Sequence, residues 1–163
     1  MRALILLFVA VTLQQTGLAQ TAQPRYSITI SAANTTVKAG REVRIHIVQN
    51  NTTDKEQPFW LEGNPAYHGE YLYLIDVRQS DGKKPSRSKY FQSLTDDTGN
   101  FRGGVALNGG LVMKKPGEAI TSSIDLNELY ELTPGKYAVQ VYQNDSIAKL
   151  TVKSNIITVN VTQ

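Results

Sequence analysis

The sequence predicts an all-β chain, an antiparallel β-sandwich of about seven to nine strands behind an N-terminal signal peptide. Three observations predict it. Short runs of alternating apolar and polar residues recur along the 163 residues. Turn residues punctuate them at short intervals, and no long amphipathic helical pattern interrupts them. The most patterned stretch, Pro116 to Tyr142, reads as strand, corner and strand.

The leader comes first. Arg2 supplies a positive charge, Ala3 to Leu13 is apolar, and Gly17-Leu18-Ala19 offers the small residues that a signal peptidase reads. The expectation is a signal peptide over residues 1–19 and a secreted product, extracellular or periplasmic. The apolar run is shorter than the roughly 20 residues that span a bilayer, so no membrane span is expected after its removal. Residues 20–163 then make one domain, large enough to bury a core without staples. Cysteine is absent, so packing and strand pairing must hold the domain, and neither a thiol nucleophile nor a thiolate ligand exists. The formal charge of +3, one less without Arg2, is too small for a nucleic-acid footprint.

In order, Tyr26, Ile28 and Ile30 line one face of the first strand, and Thr36 to Ala39 is a short extended piece before Gly40. Val43, Ile45 and Ile47 alternate against Arg44, His46 and Val48, the pattern of a half-buried antiparallel strand. Asn50 to Gln57 is a polar loop, Phe59-Trp60-Leu61 a short apolar strand, and Tyr71 to Arg78 a strand with bulky residues on both faces. Asp81-Gly82 is a hairpin turn, with Tyr90-Phe91 the candidate return strand. The Gly-Gly pairs at Gly103 and Gly109 weaken any regular element between them. Ile120, Ser122, Ile124 and Leu126 share a face, Leu126 to Leu132 is a helical turn or corner, and Tyr137, Val139 and Val141 point inward. An extended piece at Leu150 to Val152 precedes a last strand carrying Ile157, Val159 and Val161. A closed barrel is the architectural alternative.

At the corner, Tyr137 follows Pro134-Gly135-Lys136. It stands where a sandwich tyrosine ties its hydroxyl back to the corner backbone. The block Pro116-Gly117-Glu118, Ile124-Asp125-Leu126, Leu129-Tyr130-Glu131-Leu132 and Pro134 to Val141 resembles secreted bacterial immunoglobulin-like domains of unassigned function. It is also similar to the propeptide of deuterolysin-type metalloendopeptidases, in which Asp-Leu, Tyr-x-Leu and Gly-x-Tyr-x-Val recur in that order. The resemblance implies a β-sandwich. In the second case it implies a non-catalytic module that packs against another protein, since no HExxH is present here.

Candidate chemistry is sparse. His46 lies on a polar strand face and His68 in a turn beside Glu70, and two ligands do not make a zinc site. Ser-x-x-Lys recurs at Ser80, Ser86 and Ser146 in polar turns without its partner motifs. Gly104 to Gly110 lacks the lysine of a phosphate loop, and Asp96-Asp97-Thr98-Gly99-Asn100 lacks EF-hand spacing. No metal or cofactor is expected.

Two surface features offer binding chemistry. Aromatic residues concentrate between Phe59 and Phe91, with Trp60, Tyr67 and Tyr90 the candidates for stacking on a sugar or anchoring a protein. Arg78, Lys83, Lys84, Arg87 and Lys89 surround one hairpin, where they suit an anionic polysaccharide or acidic protein, or merely solvate a sheet edge. Asn34, Asn50, Asn51, Asn144 and Asn160 head glycosylation sequons. The reading is a secreted, non-catalytic interaction module that recognises a protein or polysaccharide through loops and an exposed sheet edge near Asn50–Gln57 and Gly82–Gly104. Its speculative contacts are Trp60, Tyr67, His68, Lys83, Lys84, Arg87 and Tyr90, while Pro134, Gly135 and Tyr137 form a structural corner. An inhibitor or propeptide-like regulator of an extracellular protease is the alternative.

Overall fold

A computed structural model of the chain describes residues 23–61, 73–94, 110–145 and 147–163. The leader, Tyr67, His68, and the turn at 95–100 lie outside the described residues.

Alternation sets the strands. In β1 (Tyr26–Ala32) the residues Tyr26, Ile28 and Ile30 are buried, and in β3 (Arg44–Asn51) Ile45, Ile47 and Gln49 are. A strand places successive side chains on opposite faces, so each run presents one apolar side. β1 and β7 (Ala119–Asp125) flank β3, both antiparallel to it.

A second sheet forms around β8 (Gly135–Asp145), whose Tyr137, Val139 and Val141 are buried. β5 (Leu74–Gln79) pairs with one edge of β8. β9 (Leu150–Lys153) and β10 (Ile157–Thr162) pair in succession with the other. β2 (Thr36–Lys38) completes this five-stranded sheet by lying parallel to β10. The first strand of the domain is thereby divided, β1 joining one sheet and β2 the other. β4 (Gln57–Leu61) and β6 (Gly110–Lys114) make a separate antiparallel pair. Ten strands are thus found among the described residues, against the seven to nine expected.

The buried faces of the larger sheets share one cluster. Ile28, Ile45, Ile47 and Ile124 come from one sheet, and Val77, Val139, Val141 and Val159 from the other. Polar ties cross between them, because Asn155 donates to the Ile30 carbonyl at 3.0 Å and accepts from its N–H at 2.8 Å.

Two short helices sit at one end. α2 (Leu126–Leu129) follows β7, with Asp125 as its N-cap accepting from Asn127 N at 3.1 Å. α1 (Lys89–Leu94) replaces the return strand expected at Tyr90-Phe91. Ser88 caps it by accepting from Phe91 N at 3.0 Å. Phe91 packs against Tyr130 with ring centroids 6.0 Å apart. The Asp81-Gly82 turn does form, with Gly82 at φ 83° and its N–H donating to Gln79 O at 2.9 Å. It leads into Ser86–Ser88, which bonds to Leu129 and Glu131 rather than to β5.

Candidate functional site

One end of the domain is built from four separated segments fastened together by buried polar groups. β8 and β9 meet in a tight turn, with Asp145 opposite Leu150 and Lys149 in the left-handed region at φ 53°. The Asp145 side chain is fully buried and accepts from the backbone N–H of Ile147 and of Ala148, each at 3.0 Å. From the start of β1, the Arg25 guanidinium meets it in a fork, Nε to Oδ2 at 2.9 Å and Nη2 to Oδ1 at 2.7 Å. Arg25 Nη1 donates to Gln57 Oε1 of β4 at 3.2 Å, which adds a third segment.

Burial pushes the Asp145 carboxyl up, but the Arg25 hydrogen bonds and charge and the two N–H groups outweigh it. The carboxyl is held below the ordinary carboxylate range. The same burial, with the Asp145 charge, pushes the neighbouring Tyr26 phenol far above its ordinary value, against a smaller pull from Arg25.

The fourth segment is the β6–β7 turn. Asn51, 1% exposed, donates from Nδ2 to the carbonyls of Lys55 and Lys114, both at 2.8 Å. Its Oδ1 accepts from Thr53 N at 2.9 Å and from Thr53 Oγ1 at 2.8 Å. Backbone bonds from Asn51 N to Glu118 O and from Gly117 N to Asn51 O, both 3.0 Å, close the arrangement. Asn51 is therefore a structural amide, and its sequon is closed in the folded state. Beneath it, Gln49 donates to Gln143 Oε1 at 2.9 Å and accepts from the Tyr73 hydroxyl at 3.3 Å. On this locked frame Ile147 stands at the hairpin tip, 64% exposed.

The opposite end holds the basic hairpin. Asp76 Oδ2 accepts from Arg78 Nε at 2.7 Å, and Lys84 Nζ lies 3.1 Å from Oδ1. Burial raises the Asp76 carboxyl, while bonds and charge from Arg78 and Lys84 hold it below its ordinary range. Asp81 is lowered by the Lys83 backbone N–H and then by the Lys83 side chain, 3.2 Å away. The Arg87 guanidinium lies 5.5 Å over the Phe91 ring, and Tyr90 is 43% exposed. Lys83, Lys84, Arg87 and Tyr90 are thus gathered at one end, with Lys83 and Lys84 ion-paired locally. Trp60 is elsewhere, in β4 opposite Leu111. Phe59 and Tyr73 are core residues, 3% and 4% exposed, so the aromatic concentration does not form one exposed platform.

At the corner, Tyr137 is 1% exposed and its hydroxyl donates to Thr133 O at 2.7 Å, one residue before Pro134-Gly135. His46 is exposed on β3, between Ser31 and Ser123. Among the described residues no group of three or more His, Cys, Asp or Glu could hold a metal ion.

No family model matches the chain, and no curated protein matches it.

Sequence reasoning missed Arg25, Asp145, Asn51 and Ile147. No local signal links Arg25 to a carboxylate 120 positions away, and Asn51 reads as an ordinary loop amide. Ile147 did carry a signal, as a large apolar residue in a polar connection between two strands.

Proposed function

We propose that this chain is a secreted, non-catalytic interaction module with an immunoglobulin-like sandwich, recognising a protein or polysaccharide through loops at one end. The strand order supports the fold assignment. β1-β3-β7 opposite β10-β8-β5 follows the A-B-E and G-F-C pattern of such domains. The Tyr137–Thr133 tie at the turn before β8 supports it as well. It is also in keeping with the resemblance of the corner block to secreted bacterial immunoglobulin-like domains.

The observation that carries the functional reading is the clamp of Arg25, Asp145 and Gln57 beneath an exposed Ile147. A loop already fixed in one conformation loses little entropy on binding, so its exposed apolar tip can act as an anchor. The protease-inhibitor alternative is less well supported at this loop. A protease groove takes an extended segment, and residues 147–149 form a tight turn with Lys149 left-handed.

The test is biolayer interferometry of the purified domain against purified extracellular proteins, proteases among them, and polysaccharides. The wild type is compared with Ile147→Asp. At least one ligand should bind the wild type and lose about tenfold or more in affinity in the variant, with an unchanged melting temperature. Equal binding by both proteins across the panel, or binding by neither, would overturn the reading.

A further inference from the structure

We infer that the outward face of the five-stranded sheet binds a linear acidic polysaccharide, bearing carboxylate or sulfate groups, laid along β8. The inference rests on the reading of the chain as an interaction module but uses a different surface from the Ile147 tip.

Strand alternation defines the face. Val37, Val77, Val139, Val152 and Val159 turn toward the core. Lys38, Arg78, Lys136 and Lys153 turn outward and are exposed. Asp76 is the acidic residue in their midst, and it is already held by Arg78 and Lys84. Lys38, Lys136 and Lys153 make no ion pair among the described residues. Four basic side chains therefore stand with one carboxylate on this face.

Register spaces the charges. Lys153 stands opposite Tyr142, Arg78 opposite Ala138, Lys136 on β8 itself, and Lys38 opposite Thr162, one step past the Val161–Gly135 pair. At about 3.4 Å per residue along a strand and about 4.8 Å between strands, the four charges spread over about 27 Å along β8 with successive separations of roughly 17, 8 and 12 Å, Arg78 lying one strand to one side of β8 and Lys153 one and Lys38 two strands to the other. Duplex DNA carries a charge about every 1.7 Å and would leave most phosphates unmatched. Acid groups borne about once per sugar stand farther apart than duplex phosphates and come nearer to these separations. Single-stranded nucleic acid wants several stacking aromatics, whereas Tyr142 is the aromatic ring on this face.

The remaining side chains favour sugar over protein. Thr36, Asn144, Thr151, Thr158, Asn160 and Thr162 are short groups that can exchange hydrogen bonds with hydroxyls. Protein interfaces instead centre on an apolar, desolvated patch. Here Leu74, opposite Tyr142, is the large apolar neighbour of the ring.

The experiment immobilises the purified domain and titrates polygalacturonate, heparin, neutral dextran and a DNA duplex at several salt concentrations. Polygalacturonate, heparin or both should bind, more weakly as salt rises, and the pair of arms tells carboxylate from sulfate recognition. Lys136→Glu/Lys153→Glu should weaken that binding about tenfold or more. Lys55→Glu/Lys115→Glu, at the Asn51 end, should leave it unchanged, and both variants should keep the wild-type circular dichroism and melting curve. No binding of either acidic polysaccharide, dextran or DNA bound as tightly, or equal loss in the two variants would each overturn the inference. Ile147→Asp should bind these polysaccharides as the wild type does, so failure here leaves the test of the hairpin tip standing.

Discussion

Asp145 shows how much one side chain holds. Its carboxylate is out of solvent, yet it is kept charged by a forked guanidinium and two backbone donors. Removing one partner of such a pair strands the other, so Arg25→Ala should destabilise the domain by about 3–5 kcal/mol. The pH dependence follows from the direction of the shift. The folded carboxyl titrates below its ordinary value of 3.8, so the unfolded chain takes up the proton first as pH falls. The stabilisation is therefore complete above the unfolded value and is lost as pH drops through the folded one. Melting curves between about pH 7 and 2 should fall steeply below pH 4 for the wild type and much less for Asp145→Asn. Parallel curves for the two proteins would refute the assignment.

At the scale of the element, the corner between β7 and β8 joins local chemistry to sheet geometry. Asp125 caps α2 and also accepts from Val43 N at 2.9 Å, which fixes the helix to the start of β3. Tyr137 then buries its ring and satisfies its hydroxyl on Thr133 O. Tyr137→Phe should leave that carbonyl short of a donor and cost about 1–3 kcal/mol by chemical denaturation. An unchanged denaturation midpoint would mean that the tie contributes nothing. This corner, like β1, β3, β8 and β10, was legible in the sequence because its information is local: alternation, turn residues and one aromatic at the start of a strand. α1 was not. Tyr90 and Phe91 favour strands by composition, but Ser88 caps a helix and the Phe91 ring finds Tyr130. The capping serine was the available signal, and it was outweighed by the preceding Asp-Gly turn. The candidate site was less legible still. Lys83 and Lys84 were found as charges, but their neutralisation by Asp81 and Asp76 depends on side-chain geometry. The Arg25–Asp145 clamp joins the two ends of the domain sequence and has no local signature at all.

For the whole molecule, the separation into sheets predicts a gradient of stability. β3 and β8 are central strands with neighbours on both sides and side chains in the shared cluster. Their amides can exchange only when the cluster comes apart. β4 and β6 form a two-stranded sheet, an arrangement that is marginal in water without further packing. It is held to the domain by Phe59, whose ring lies 5.8 Å from Tyr26, by the Asn51 bonds to Lys55 and Lys114, and by Gln57 on Arg25. Native-state hydrogen exchange should therefore show β4 and β6 opening at lower free energy than β3 and β8. Arg25→Ala should lower the opening free energy of β4 and β6 together with that of β3 and β8, because the clamp it removes belongs to the native state from which both open. If β4, β6, β3 and β8 all exchange with the global unfolding free energy in the wild type, the small sheet is an integral part of the cooperative core. The two outcomes differ amide by amide, so the exchange pattern decides whether the loop end is locked independently of the core or as part of it.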